Sequence, residues 1–412
     1  MSNITVTDCI AAKPSGEEFI HFKVLAYTIV LIISLGGNII VLTVVYKTLA
    51  MRTVTNMLIC NAAVSDLIIT IFPVTWEIVD NLKFKGTWPL GKFMCVFMYM
   101  SIYLSVASTI ISLVAMSLDR YCAVMLPYKK YLTVKSLKLV IPVIWLLSFA
   151  FASPTIYIQR VVHFEDFGYA CVEKWSKPFN ESNSPKHYTI ILFICLYAVP
   201  LLLMSVLYAI MAIKLMQPVG SSVPKSKTPI THRKNLLKRC FSHDKTGDVA
   251  ATPSRQSREV LRSDTMKQCE RMKRKQRVIK MLVCIVIVFA ICWLPVNCIQ
   301  FITFFNPYVI RCPQSIPDWS IFFAFLLQYA NSAINPLLYF GFSHTYRNGF
   351  KRTFSFLFSA KNKKTRSRPE SFALFSRRRK GVEYSYEKFE KRTSTIAITN
   401  RRSKFENAMG KS

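Results

Sequence analysis

Asn335-Pro336-Leu337-Leu338-Tyr339 closes the last of seven apolar stretches in this chain, and Asp119-Arg120-Tyr121 closes the third. The stretches cover residues 24–46, 57–79, 93–118, 139–159, 188–213, 281–304 and 319–342 and hold almost no charged side chains. At about 1.5 Å per residue, each is long enough as a helix to cross roughly 30 Å of hydrocarbon. Unpaired backbone amides are expensive in hydrocarbon, so spans of this length are expected to be helices packed into one bundle, with irregular backbone confined to the loops. The predicted fold is therefore an all-α membrane protein, a seven-helix bundle over residues 24–342.

Composition agrees. Hydrophobic residues make up 52% of the 412 positions and charged residues 18%, too few polar groups to cover a soluble surface of that size. The net charge of +32 raises the question of a nucleic-acid partner, but 44 of the 54 Lys and Arg fall in alternate connections, at 47–55, 119–138, 214–280 and from 347 onward. That distribution follows the positive-inside tendency. It predicts a multi-pass plasma-membrane protein with residues 1–23 outside, the C-terminal end in the cytoplasm, membrane lipids rather than nucleic acid against the basic segments, and no nucleic-acid function. Residues 1–23 lack the basic start and apolar core of a cleavable signal, so the first span is read as its own insertion signal. Asn3-Ile4-Thr5 and Asn180-Glu181-Ser182 are glycosylation sequons on segments expected outside.

Six of the twelve cysteines, Cys60, Cys122, Cys195, Cys284, Cys292 and Cys298, lie in or beside the spans and read as small apolar fillers. Cys95 and Cys171 fall on the oxidising side and are predicted to form a disulfide tying the loop before the fifth span to the start of the third. Cys9 and Cys312 also fall outside, either as a second bridge or as free thiols. Residues 217–268 and the basic tail 359–412 are too polar to fold alone and are expected to be disordered, with the run 271–280 continuing the sixth helix inward. Residues 343–358 read as an amphipathic helix lying along the membrane.

Asp66 sits mid-span, where an unpaired carboxylate is costly and a functional role is the default reading. Asn38, Thr109, Trp293, Asn331, Ser332 and Asn335 are hydrogen-bonding residues at similar or inner depth on other spans, and with Asp66 they supply oxygens enough for a small hydrated cation. Arg120 stands between Asp119 and Tyr121, so a neighbouring carboxylate holds the guanidinium until a partner competes for it. Pro200, Pro295 and Pro336 each remove a helical hydrogen bond, and Trp293 and Phe289 precede the kink at Pro295. A ligand pressing from outside can therefore rotate the inner half of that helix.

On these residues the chain resembles the rhodopsin-like G-protein-coupled receptors from residue 24 to about 354. Gly37-Asn38, the run Asn61 to Asp66, Trp88 before Cys95, the Asp119-Arg120-Tyr121 triplet, Trp145, Pro200 with Tyr208, Cys292-Trp293-Leu294-Pro295 and Asn335 to Tyr339 fall in family order. The resemblance implies several roles. Arg120 engages a heterotrimeric G protein, while Ile110, Pro200 and Phe289 form a packing trigger. Asp66, Thr109, Asn331, Ser332 and Asn335 hold sodium at rest, and Tyr208 and Tyr339 swing inward on activation. Two departures limit the transfer. The start of the sixth helix reads Lys273-Arg274-Lys275-Gln276-Arg277, with no acid to clasp Arg120, and no cysteine follows residue 343 to carry palmitate.

The ligand class is read from the outer half. Amine receptors resemble one another in an aspartate on the third span where this chain has Ile102, and retinal carriers need a lysine where it has Tyr329. Glu77, Asp80, Glu165, Asp166, Glu173 and Asp318 stand among Phe164, Phe167, Tyr169 and Trp175, which suits a peptide carrying Arg and Phe. The stretch from Phe72 to Asn81 and on to Gly91 is similar to receptors for RFamide peptides, orexin and neuropeptide Y. The expected ligand is a short amidated peptide, with Trp76, Glu77, Asp80, Ile102, Glu173, Asn297, Gln300, Asp318 and Phe325 as its contacts. Ser371, Ser376, Thr393, Ser394, Thr395, Thr399 and Ser403 offer phosphorylation sites for a receptor kinase and arrestin. A seven-helix transporter would show an inverted repeat or several charged spans, and an enzyme would show a nucleophile turn or a metal-spaced histidine cluster; the sequence holds neither pattern.

Overall fold

The computed structural model describes residues 16–126, 131–165, 168–216, 255–306, 309 and 316–354, with backbone only for 215, 216 and 255–275. Asn3, Cys9, Cys312, Asp166, Phe167, the loop up to residue 254 and the tail sites lie outside the described residues. Seven helices among them are long and apolar enough to cross a membrane: α1 (Glu17–Lys47), α2 (Val54–Phe84), α3 (Gly91–Met125), α4 (Leu137–Ile158), α5 (Ser184–Lys214), α6 (Gln276–Phe305) and α7 (Asp318–Phe342). A hairpin of β1 (Gln159–Phe164) and β2 (Gly168–Glu173) follows α4, and α8 (His344–Thr353) follows α7. The chain belongs in lipid as a multi-pass protein. Its exposed side chains include Leu139, Leu146, Leu202 and Ile291, whereas Asn38, Asn61, Ser65, Asp66 and Asn335 are buried.

Local chemistry accounts for the helix ends. Thr53 caps α2 by accepting the Asn56 amide through Oγ1 at 3.4 Å. At the other end of the span Lys85 takes a left-handed conformation, φ 49°. α3 stops at Met125, one residue before the residue preceding Pro127, where a helical conformation is disfavoured. The backbone helix of α6 begins at Arg255, so residues 255–268, expected without regular structure, continue the span as helix. The reason is that nothing in 255–280 breaks a helix: it contains neither Pro nor Gly.

Prolines loosen the spans in more places than the three anticipated. Pro73 lies within a π turn, Thr70–Val74, and a second π turn, Asp80–Phe84, ends α2. A third, Ile194–Ala198, precedes Pro200 in α5. Pro142 also lies inside α4.

α3 is the central post, packing on α2, α4 and α5, while α1 and α6 both pack on α7. Cys95 and Cys171 form the expected disulfide, with Cα atoms 5.6 Å apart, holding β2 against the start of α3. The Trp88 amide adds a bond to the Tyr169 carbonyl at 2.6 Å. Two glycines permit close approach. A Cβ on Gly37 would lie 2.7 Å from Pro336 Cβ, and one on Gly349 would lie 2.6 Å from Val44 Cγ1, so α7 and α8 both sit tightly against α1.

Gly37→Ala is expected to push α1 off α7 and lower stability by about 1–3 kcal/mol, read as a fall in the thermal midpoint of purified protein. An unchanged midpoint would mean that the helices have room to spare at this crossing.

Candidate functional site

Mid-bundle, Asp66 accepts a hydrogen bond from Asn335 Nδ2 at 3.0 Å and another from the Ser332 side chain. Its own carbonyl accepts from Thr70 Oγ1 at 2.5 Å, and Thr70 shares a 2.6 Å bond with Ser34 Oγ on α1. Asn38 Nδ2 spans from the Ser34 carbonyl, 2.9 Å, to the Ser332 carbonyl, 3.1 Å. Asn61 extends the seam to the other side. Its Nδ2 donates to Ser108 and Ser112 Oγ at 3.2 and 2.9 Å, and its Oδ1 accepts from Trp145 Nε1 at 2.9 Å. Asn38 Oδ1, Ser105 Oγ, Asn331 Oδ1 and Asn335 Oδ1 are buried acceptors without a hydrogen-bond partner among the described residues. Thr109, also buried, lies one turn past Ser105 on α3. One carboxylate with several neutral oxygens fits a small monovalent cation. Among the described residues no group of three or more His, Cys, Asp or Glu offers a site to a multiply charged metal.

Toward one end of the bundle, Arg120 is held by its own neighbour: Nη2 lies 2.5 Å and Nε 3.1 Å from Asp119 Oδ2, which also accepts from Thr55 Oγ1 at 3.2 Å. Tyr121 is partly buried beside them. Tyr208 OH shares a 2.7 Å bond with Ser117 Oγ on α3. Tyr339 stacks on Tyr346 of α8, with centroids 5.9 Å apart. Tyr208 and Tyr339 are thus engaged with different partners. Between these levels Ile110 and Phe289 share one apolar cluster with Val106, Ala107, Leu192 and Leu196, and Trp293 packs against it. Phe289 and Trp293 stack at 5.9 Å. Pro200 is buried, and the Tyr197 hydroxyl donates to the Ala290 carbonyl on α6 at 2.8 Å. Trp293 Nε1 is buried without a partner just before Pro295.

At the hairpin end, Tyr329 OH donates to Glu77 Oε1 at 3.4 Å. Tyr99 lies within electrostatic reach of Glu77, Asp80 and Glu173, and Lys23 within reach of Glu77 and Asp80. Tyr27 also feels Glu77. Glu173 accepts from Trp175 Nε1 at 2.6 Å. Removal of water around its carboxyl raises the Glu173 pKa, and the Trp175 bond opposes that rise. Gln300 hydrogen-bonds Tyr103, Phe325 stacks on Tyr329 at 6.3 Å, and Ile102 packs against the apolar clusters on both sides of α3. Trp76 lies against Trp88 at 4.5 Å and Phe84 at 5.8 Å.

Three expected ligand contacts are already engaged. Asp318 is half-exposed and pairs with Lys23 Nζ at 3.5 Å. Asp80 accepts the Gly86 amide at 3.0 Å, closing the turn after α2. Asn297 Nδ2 donates to the Trp293 carbonyl of its own helix at 2.7 Å. Sequence reasoning missed Lys23, Tyr27, Tyr99 and Tyr103. The last two stand four apart on one face of α3, and that helical spacing was the available signal. The exposed Asn180 accepts the Ser182 and Asn183 amides through Oδ1 at 2.9 and 3.0 Å, which shapes the turn but says nothing of a sugar.

Residues 37–339 match the family described as 7 transmembrane receptor (rhodopsin family). The chain is 28% identical over 344 residues to a neuropeptide FF receptor 2 of Mus musculus, covering 80% of this chain and 71% of that one. It is 29% identical over 334 residues to a QRFP-like peptide receptor of Branchiostoma floridae, 79% of this chain and 75% of that one. To a neuromedin-K receptor of Rattus norvegicus it is 29% identical over 338 residues, 80% and 62% respectively.

Proposed function

The chain belongs to the rhodopsin family of seven-transmembrane receptors, and we propose that it responds to a short amidated peptide of the RFamide type and signals through a heterotrimeric G protein. The observation that carries the reading is the half-buried Glu77 carboxylate, hydrogen-bonded to Tyr329, with Asp80 within electrostatic reach and the nearby Lys23 paired with Asp318. Glu77 takes its hydrogen bond from a neutral phenol. An arginine entering there trades a weak partner for a charge-assisted one in a half-buried site, and Phe325, Ile102 and Trp76 offer apolar contact to a neighbouring phenylalanine. The similarity to receptors named for neuropeptide FF and QRFP-like peptides supports the class of ligand.

In this reading the hairpin end faces outward and the Arg120 end faces the cytoplasm, in line with the placement of Lys and Arg. Peptide docking presses on Trp293, Phe289 and Ile110, α6 swings about Pro295, and Tyr208 leaves Ser117 as Arg120 leaves Asp119 to meet the G protein. Sodium among Asp66, Ser332, Asn335 and Asn331 favours the resting state because its ligands come from both α2 and α7. Phosphorylation of the basic tail by a receptor kinase recruits arrestin.

Arg120→Ala is expected to abolish peptide-stimulated nucleotide exchange while surface labelling stays normal; retained exchange removes the switch role. Glu77→Gln should weaken an Arg-Phe-amide peptide by about 1.5–3 kcal/mol yet leave its citrulline analogue little changed. Equal losses for the two peptides remove Glu77 as the arginine's counter-ion. Replacing sodium by choline is expected to raise agonist affinity in the wild type and to have no effect in Asp66→Asn, measured by radioligand competition; a sodium response that survives the substitution rules out Asp66 as the cation's anchor.

A further inference from the structure

Where α8 turns away from α7, the inner end of α6 and the turn after α1 complete a cleft of about 460 Å3. Arg277 of α6 and Arg352 of α8 face this one volume, together with His344, Thr345, Asn348 and Ser343, and among the described residues no carboxylate lines it. Both arginines are exposed, and among the described residues neither forms an ion pair with an acid of this chain. The volume is of ligand size, within the roughly 300–1,000 Å3 of small-molecule sites. The first turn of α8 also opens here, bringing the amide-rich positive end of a ten-residue helix. The wall that carries Arg352 is fixed, because Gly349 is wedged against Val44 and Met51.

Two guanidinium forks on different helices, with hydroxyl and amide donors between them, match an anion carrying at least two phosphates. Each fork takes one phosphate in bidentate fashion, and a headgroup with a single phosphate leaves one fork unmatched. We propose that this cleft binds the phosphorylated headgroup of an inositol phospholipid. The lipid source follows from position: α8 begins two residues after α7 ends, and on the proposed orientation this is the level of the inner leaflet, where basic pockets between helices meet such headgroups. The rest of the wall is mostly apolar and suits the glycerol end of a lipid. Bound there, the headgroup ties the inner end of α6 to α8. That is the helix end where the sequence offers Arg120 no acid.

The test uses the full-length receptor in detergent and the fluorescence anisotropy of a labelled short-chain phosphatidylinositol bisphosphate, with no peptide or G protein required. It can therefore fail or succeed independently of the peptide assignment. The pair Arg277→Gln and Arg352→Gln is expected to weaken binding at least tenfold, Lys92→Gln at the opposite end to leave it unchanged, and phosphatidylserine to compete poorly. Wild-type protein should gain thermal stability with the lipid, and the double variant should not. Undiminished binding in the double variant overturns the site, and free inositol trisphosphate binding as tightly as the lipid overturns the lipid assignment. If the glutamine pair does not fold, Arg352→Glu alone, on the exposed face of α8, decides: a tenfold loss supports the site, and unchanged affinity overturns it.

Discussion

Hydrocarbon offers no hydrogen-bond partner, so each polar atom placed mid-span must find one on a neighbouring helix, and in this bundle that demand is concentrated on Asp66. Its bonds to Asn335 and Ser332, and the chain through Thr70, Ser34 and Asn38, join α2 to α7 and α1. Asn61 does the same for α3 and α4 through Ser108, Ser112 and Trp145. Because these bonds are directional, they fix rotation and height as well as proximity. Five of the seven spans are thereby locked in register around a seam of side-chain bonds.

α5 and α6 are held differently. Their contacts with α3 are the apolar cluster around Ile110 and Phe289 and the Tyr208–Ser117 and Gln300–Tyr103 bonds, while Tyr197–Ala290 joins α5 to α6. Apolar packing is non-directional and tolerates repacking in a way that a buried amide network does not. Pro295 and the π turn before Pro200 add backbone compliance to these same two helices. The bundle thus divides into a polar-bonded half and an apolar-packed half, and the proposed switch pair Arg120–Asp119 lies on α3 between them.

The two ends carry different charge clusters. At the hairpin end Glu77, Asp80 and Glu173 lie within electrostatic reach of Tyr99, whereas at the α8 end Arg277 and Arg352 line a cleft with no acid among the described residues. Arg120 lies apart from both, neutralised by Asp119 on its own helix. The proposed cationic peptide and the proposed polyanionic headgroup each answer a local cluster of one sign rather than a whole end, since Lys23, Lys83 and Arg160 also stand at the hairpin end.

The chain's sequence by itself determined the number of spans, the Cys95–Cys171 bridge and the Asp119–Arg120 pair, because these depend on apolar run length, on position relative to the spans and on residues adjacent in the chain. Pro200, Pro295 and Pro336 announced compliant helices, but the π turn at Pro73 and the one closing α2 were hidden, since the local sequence does not distinguish a π turn from an α turn. Only the tertiary structure decided that Asp318 turns to Lys23, that Asp80 closes its own turn, and that Tyr329 bonds Glu77 with Tyr27 and Tyr99 within electrostatic reach. A span that is apolar nearly all round carries little periodic signal of which face looks inward. Its rotation is set by partners far away in the chain, such as Asp66 and Asn335, and those meet only once the bundle has closed.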